Sequence, residues 1–168
     1  MSATPSPSGL EPEPIGSHNP HCYVCGDQNP ASQALSLAVA ADSVVGDVTL
    51  EARHQGAPGL AHGGAVAALF DEALGIAVHV TGVPAVTARL EVNYRRPFVL
   101  GRRHLVEARV DRREGRKYYA RGTVHDEQGL LVADATGLFL QVTVDHFLEN
   151  LPDEWRDNLG DAEGTLPW

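Results

Sequence analysis

The sequence predicts an α+β domain in which an antiparallel sheet curls around one long hydrophobic helix. Three observations carry this reading. Apolar residues at three- and four-residue spacing dominate one stretch, 63–80. A pair of β-period segments precedes it, and four more follow, each bounded by Gly, Pro or Asn/Asp turn signals. The order of two strands, one helix and four strands is satisfied by a helix laid against a single antiparallel sheet. At 168 residues, 43% hydrophobic and 21% charged, the chain can bury one core, so one domain is expected.

The elements follow in order. Residues 1–17, MSATPSPSGLEPEPIGS, are rich in Pro, Ser and Glu, lack a basic start and hold no apolar block. They read as a flexible arm and not as a signal peptide, so export is not expected. No apolar run approaches the roughly 18 residues of a membrane span, which predicts a soluble, cytoplasmic protein without membrane contact. The segments ALSLAVA (34–40) and VVGDVTL (44–50) flank Ala41-Asp42-Ser43 as the two arms of a hairpin. In the helix, Ala65, Val66, Leu69, Ala73, Ile76, Ala77 and Val80 recur at helical spacing until Thr81-Gly82-Val83-Pro84 stops the pattern. Apolar residues on nearly every side predict a helix wrapped by other structure. The period then changes to that of strands over 85–97, 103–113, 117–127 and 130–144, which predicts a four-stranded meander. The domain is expected to span 18–146. An acidic tail, 147–168, follows, in which PDEWRDNL suggests one short helical turn without assigned function.

Charge is unevenly distributed. The net charge is −9, yet 11 of the 13 Lys and Arg residues lie between Arg89 and Arg121, where only Glu91, Glu107, Asp111 and Glu114 oppose them. The segment is about +7 and the remainder about −16, which argues against nucleic acid as a partner. Two readings of the basic band stand side by side: a seat for a small polyanion, or the wet face of a sheet.

The stretch LAHGGAVAALFDEALG (60–75) places two glycines and two carboxylates on the predicted helix. Gly63 and Gly64 at a helix start allow close approach to backbone N–H groups at the positive end of the dipole, which suits an oxyanion. Asp71 has Ala67, Ala68, Leu74 and Gly75 as its helical neighbours, so no basic side chain of the same face neutralises it. Burial there should raise its pKa toward that of a general base. Glu72 has similar neighbours, and spacing does not choose between them. The plainer alternative is an ion pair from one of the two acids to an Arg of the sheet, with His62 merely capping the helix.

HGGAVAALFDEALG, with VTARLEVNYRRPF (86–98) and HCYVCGDQNP (21–30), resembles the PaaI-like branch of the hotdog-fold acyl-CoA thioesterases over roughly 18–146. The resemblance implies a hotdog fold, a homodimer or a dimer of dimers joined at sheet edges, and a site at the dimer interface. It implies that Asp71 holds the catalytic-acid position, as general base on water or as nucleophile. Gly64, with Gly63, would offer N–H groups to the thioester carbonyl, His62 would shape that pocket, and Thr87 matches a hydroxyl near the attacking water. Where some relatives carry an Asn before the HGG turn, this chain reads His54-Gln55-Gly56, leaving Gln55 as the substitute.

HNPHCYVCG supplies His18, His21, Cys22 and Cys25, and a C-x-x-C with nearby His can ligate zinc. With no second C-x-x-C, four ligands would need both histidines, which is geometrically tight. The expectation is therefore no metal, with Cys22 and Cys25 as small core residues or a surface thiol pair. His79 and His125 receive no role.

The leading functional expectation is hydrolysis of an acyl-CoA or related thioester without any cofactor beyond the coenzyme A of the substrate. Arg95, Arg96, Arg116 and Lys117 are the candidates to meet its phosphates. A non-catalytic acyl-CoA-binding module is the alternative. A hotdog dehydratase, which pairs an acid and a His on another motif, finds no clear match.

Overall fold

The computed structural model describes residues 12–149 and 151–152. Strands β1 (Glu13–Ile15), β2 (Ser36–Ala40) and β3 (Ser43–Thr49) come first, followed by a short 3-10 turn, Ala52–His54, and helix α1 (Gly63–His79). Strands β4 (Ala85–Tyr94), β5 (Arg103–Glu114), β6 (Lys117–Asp126) and β7 (Leu131–Gln141) and a short helix α2 (Val144–Glu149) complete the chain. All strands form one seven-stranded sheet in the order β1-β2-β3-β5-β6-β7-β4, antiparallel at every pairing.

Helix α1 is wrapped, as its pattern predicts. Leu69, Phe70, Ala73, Leu74 and Val78 are fully buried, and they pack in one core with Val44, Val48, Val106, Val124 and Phe139 of the sheet. Removing these side chains from water is the main stabilising term, at about 1.5–3 kcal/mol for each large aliphatic or aromatic side chain. The hairpin β2–β3 forms as expected, its turn at Ala41 adopting a left-handed φ of 53°. No helix among the described residues is long and apolar enough to cross a membrane.

Three expectations change. The four strands after α1 are not one meander: β5, β6 and β7 are, but β4 pairs with β7 and forms the sheet's outer edge. Strand alternation reports which face is wet, not which neighbour a strand takes, so this placement is invisible in the period. The expected flexible arm supplies β1, which pairs with β2 from Glu13↔Val39 to Ile15↔Leu37. The strand read over 130–144 ends at Gln141, and Val144–Glu149 turns into α2. The helical turn expected at 152–159 falls, beyond Pro152, outside the described residues.

Candidate active site

The middle of α1 and the edge strand β4 build an acidic half of the site. Strand β4 carries a bulge: Thr87 pairs with Phe139 and Arg89 with Leu138, so Ala88 is the extra residue. A bulge bends the strand and re-aims its side chains. Thr87 Oγ1 donates a 2.7 Å hydrogen bond to Asp71 Oδ1. The two residues line a groove of about 200 Å³ with Gly75, Ile76, His79 and Phe139. Asp71 is exposed, which overturns the expectation that it is the carboxylate buried among apolar neighbours. The helix turns roughly 100° per residue, so its neighbour takes the inward direction.

The start of α1 builds a second half. His62 is the N-cap, and its Nδ1 accepts a 2.9 Å hydrogen bond from Gly64 N–H. The capping role foreseen for His62 is therefore real, and it occupies the amide expected to meet a carbonyl. Gly63 N–H has no partner among the described residues, so of the two amides expected to act as donors Gly63 is the open one. Tyr94, at the end of β4, donates its hydroxyl to Gly63 O at 2.8 Å and holds the helix start against the edge strand. Sequence reasoning passed over Tyr94, although it stands inside the NYRRP motif. A second groove, of about 390 Å³, opens here beside Gly63, Val66, Tyr94, Arg95 and Arg96. Gln55 belongs to this half: it bridges to Ala61, and its Oε1 accepts from Gly59 N–H at 3.0 Å, bracing the loop before the helix.

Glu72 points toward the N-terminal segment. His18 Nδ1 lies 2.8 Å from Glu72 Oε1 and 3.1 Å from Cys25 Sγ, while Cys22 Sγ lies 3.6 Å from Glu72 Oε2. Among the described residues the foreseen ion pair of a helix acid to a sheet Arg does not form, and a histidine takes its place. Burial pushes Glu72 up, but contact with His18 and the thiols outweighs it and holds the carboxyl below its ordinary value. His18 is raised to about 10, by Cys25 first and then Glu72. Burial pushes the Cys22 thiol up to about 11. It acts the same way on Cys25, where the His18 contact prevails and lowers the thiol.

The basic residues do not form one band. Arg95 Nε pairs with Asp134 Oδ2 at 2.6 Å and Arg96 Nη1 donates to Leu131 O at 2.6 Å, both at the start of β7. Lys117 pairs with Leu140, and Arg116 O accepts from Gln141 N–H, both at the end of β7. About nine strand residues, near 30 Å, separate the pairs. Only Arg95 and Arg96 line a groove beside the helix start. Arg109 and Arg121 share Asp111, and Arg112 takes Glu114, so this part of the sheet is a solvated, largely self-neutralised face.

Comparison with known proteins places this geometry in context. The family model described as the thioesterase superfamily matches residues 58–133, the span from the loop before α1 into β7. Acyl-coenzyme A thioesterase THEM4 of Bos taurus is 39% identical over 89 residues, which cover 52% of this chain and 36% of that protein. The chain thus spans little more than a third of this curated relative's length. A thioesterase superfamily protein of known crystal structure superposes with a TM-score of 0.69 at 34% identity, over 71% of this chain and 63% of the other. A crystal structure from Thermus thermophilus gives 0.59 at 32% identity, over 64% of this chain and 92% of its own.

Proposed function

Because the chain belongs to the thioesterase superfamily and carries its hotdog fold, we propose that it hydrolyses acyl thioesters, with acyl-CoA as the substrate class. The single observation that carries this is the exposed Asp71 carboxylate in a groove, held by a 2.7 Å hydrogen bond from Thr87. That bond engages Oδ1, and Oδ2 has no hydrogen-bond or ion-pair partner among the described residues. A water between Oδ2 and the Thr87 oxygen loses its proton to Asp71 as its oxygen attacks the thioester carbon. The carbonyl electrons move to oxygen, a backbone N–H receives the oxyanion, and collapse expels the coenzyme A thiolate. Asp71 then gives that proton to the departing thiolate sulfur and is restored as the carboxylate.

The donor for that oxyanion cannot come from the same helix. Gly63 precedes Asp71 by eight residues, about 12 Å along the axis, and free N–H groups at a helix start point outward, away from the helix body. The two halves also open as separate grooves. A second copy supplies the missing half when its helix start faces Asp71. Strand β4, a ten-residue edge whose outer side is unpaired among the described residues, is the natural seam for a homodimer.

The test is complementation between two disabled chains. Asp71→Asn removes the base. Gly63→Pro removes the amide hydrogen at the first helical position, where Pro is tolerated, after a His62 whose ψ of 137° suits a residue preceding Pro. Each homodimer should be inactive toward a panel of acyl-CoAs under free-thiol detection, and the mixed dimer should regain up to about half the native sites. Absence of rescue overturns the shared site. Tight acyl-CoA binding by the native chain without turnover overturns hydrolysis in favour of a binding module.

A further inference from the structure

We propose that His18, Cys22, Cys25 and Glu72 form a closed four-ligand site for a divalent ion of the zinc class, fastening the N-terminal segment to α1 beside Asp71. One ligand atom from each of the four lies within 4.8 Å of all the others. Tetrahedral zinc with bonds of about 2.0–2.3 Å sets ligand atoms about 3.3–3.8 Å apart, so small side-chain adjustments close the observed set. One imidazole, two thiolates and one carboxylate form a donor set that zinc accepts, and the thiolates select against magnesium and calcium.

The contacts converge on a point better than they satisfy one another. His18 Nδ1 faces both Glu72 Oε1 and Cys25 Sγ, yet a ring nitrogen carries one proton or one lone pair. Glu72 Oε1, although 2.8 Å from that nitrogen, is buried without an aligned hydrogen bond. An orphaned buried carboxylate oxygen beside a doubly engaged nitrogen is what a shared cation resolves.

The backbone around the cysteines is shaped independently for a thiolate. Val24 N–H and Cys25 N–H both point at Cys22 Sγ, at 3.2 and 3.5 Å, and amide donors stabilise charge on sulfur. Gly26 N–H closes the turn onto Cys22 O at 3.0 Å. A Cβ at Gly26 would meet Cys22 N and Pro20 O at 2.5 Å, so only glycine permits this knuckle. His21 stays outside the set, and the fourth ligand comes from the helix 50 residues beyond Cys22. Binding expels the remaining ligand protons to solvent and leaves no open position, so the ion is structural. His18 and Glu72 also wall the Asp71 groove, which gives the fastening its place next to the proposed chemistry.

The inference stands apart from the thioesterase reading, because its test needs no substrate. The full chain, purified with reductant and loaded with Zn²⁺ before desalting, should retain about one zinc per chain by mass spectrometry. The metal-free chain should take up Co²⁺ with the strong visible bands of a tetrahedral centre and a thiolate-to-cobalt charge-transfer band, both erased by Zn²⁺. Cys25→Ser and Glu72→Gln should each weaken zinc binding by more than about 100-fold against a chromophoric chelator, while His21→Ala retains it. The Co²⁺ spectrum is read on the unaltered chain, so a variant that fails to fold does not decide the matter. Retention of less than about a tenth of an equivalent, a cobalt spectrum without the charge-transfer band, or a reduced chain that only oxidises to a Cys22–Cys25 disulfide overturns the site.

Discussion

Asp71 and Glu72 are adjacent carboxylates in similar sequence surroundings, and they inhabit opposite worlds. Asp71 is exposed at a groove and meets one neutral donor, Thr87. Glu72 is turned inward, its side chain 12% exposed, and meets a histidine and a thiol. A rotation of roughly 100° about the helix axis separates a water-accessible carboxylate from one packed against the N-terminal segment. Two acids in series thus give the helix an outward role and an inward one, and exchanging their environments requires no more than one residue's shift in register.

Breaking the outward side should have the largest effect. Asp71→Asn should lower kcat for acyl-CoA hydrolysis by about 10²-fold or more with the fold intact, whereas Glu72→Gln should spare kcat far more and lower the melting temperature. Steady-state kinetics and thermal unfolding on both variants check this, and a more damaging Glu72 change in kcat would reverse the comparison.

Sharpening it means removing the donor that Asp71 has among the described residues. Thr87→Val should cost about 10-fold in kcat, in line with a hydrogen bond to a charged group, while Thr87→Ser should restore most of it. Equal losses in Val and Ser variants would show that the bulge geometry matters and the hydroxyl does not.

The basic pairs extend the contrast to binding. Arg95→Gln with Arg96→Gln should raise KM for acyl-CoA several-fold, more at low salt, with kcat nearly unchanged. The same pair should leave a short acyl thioester without the nucleotide unaffected. Arg116→Gln with Lys117→Gln, at the far end of β7, should change neither. KM measurements on both substrates at two salt concentrations separate these outcomes.

The smallest effect calibrates burial that outweighs nearby carboxylates, here Asp126 and Glu127. His104 is buried, stacked on Phe98 at 3.6 Å between ring centres, and burial lowers its pKa below the ordinary 6.5. Protons then bind the unfolded chain more readily, so the stability His104 contributes is in place above about pH 6.5 and is lost as pH falls toward its folded value. His104→Phe should flatten the melting temperature between about pH 8 and about pH 5 by a few degrees relative to the native chain.

Most of the architecture was legible because periodicity reports local structure. The run from Ala65 to Ala77 gives the helix, and the glycine turns at Gly115 and Gly129, with φ of 59° and 78°, give the hairpins. The neighbour of β4 was not legible, because nothing in AVTARLEVNY says whether it pairs with β5 or β7. At the site, the Asp71 and Thr87 positions were readable through family resemblance, whereas the 2.7 Å hydrogen bond that joins them was not. The inward turn of Glu72 escaped, since its partners lie some 50 residues upstream and only folding brings them together. A trace was present in Cys22-x-x-Cys25-Gly26, whose glycine hints at a knuckle before any ligand set is complete. The capping role of His62 was foreseen as the plainer alternative, but the sequence could not choose between a capped and a free Gly64 amide, because the two look alike in it.

The unequal edges of the sheet bear on how far association can run. One border is β1, three residues long with Pro14 at its centre, and the other is β4, ten residues long. Proline offers no N–H, and so short a strand is a poor template for another. If two chains joined β4 to β4, the margin left outward among the described residues would be the blunt one. An association seamed on β4 would then offer no comparable template to a third chain, so the weakness of the opposite margin opposes propagation into fibrils.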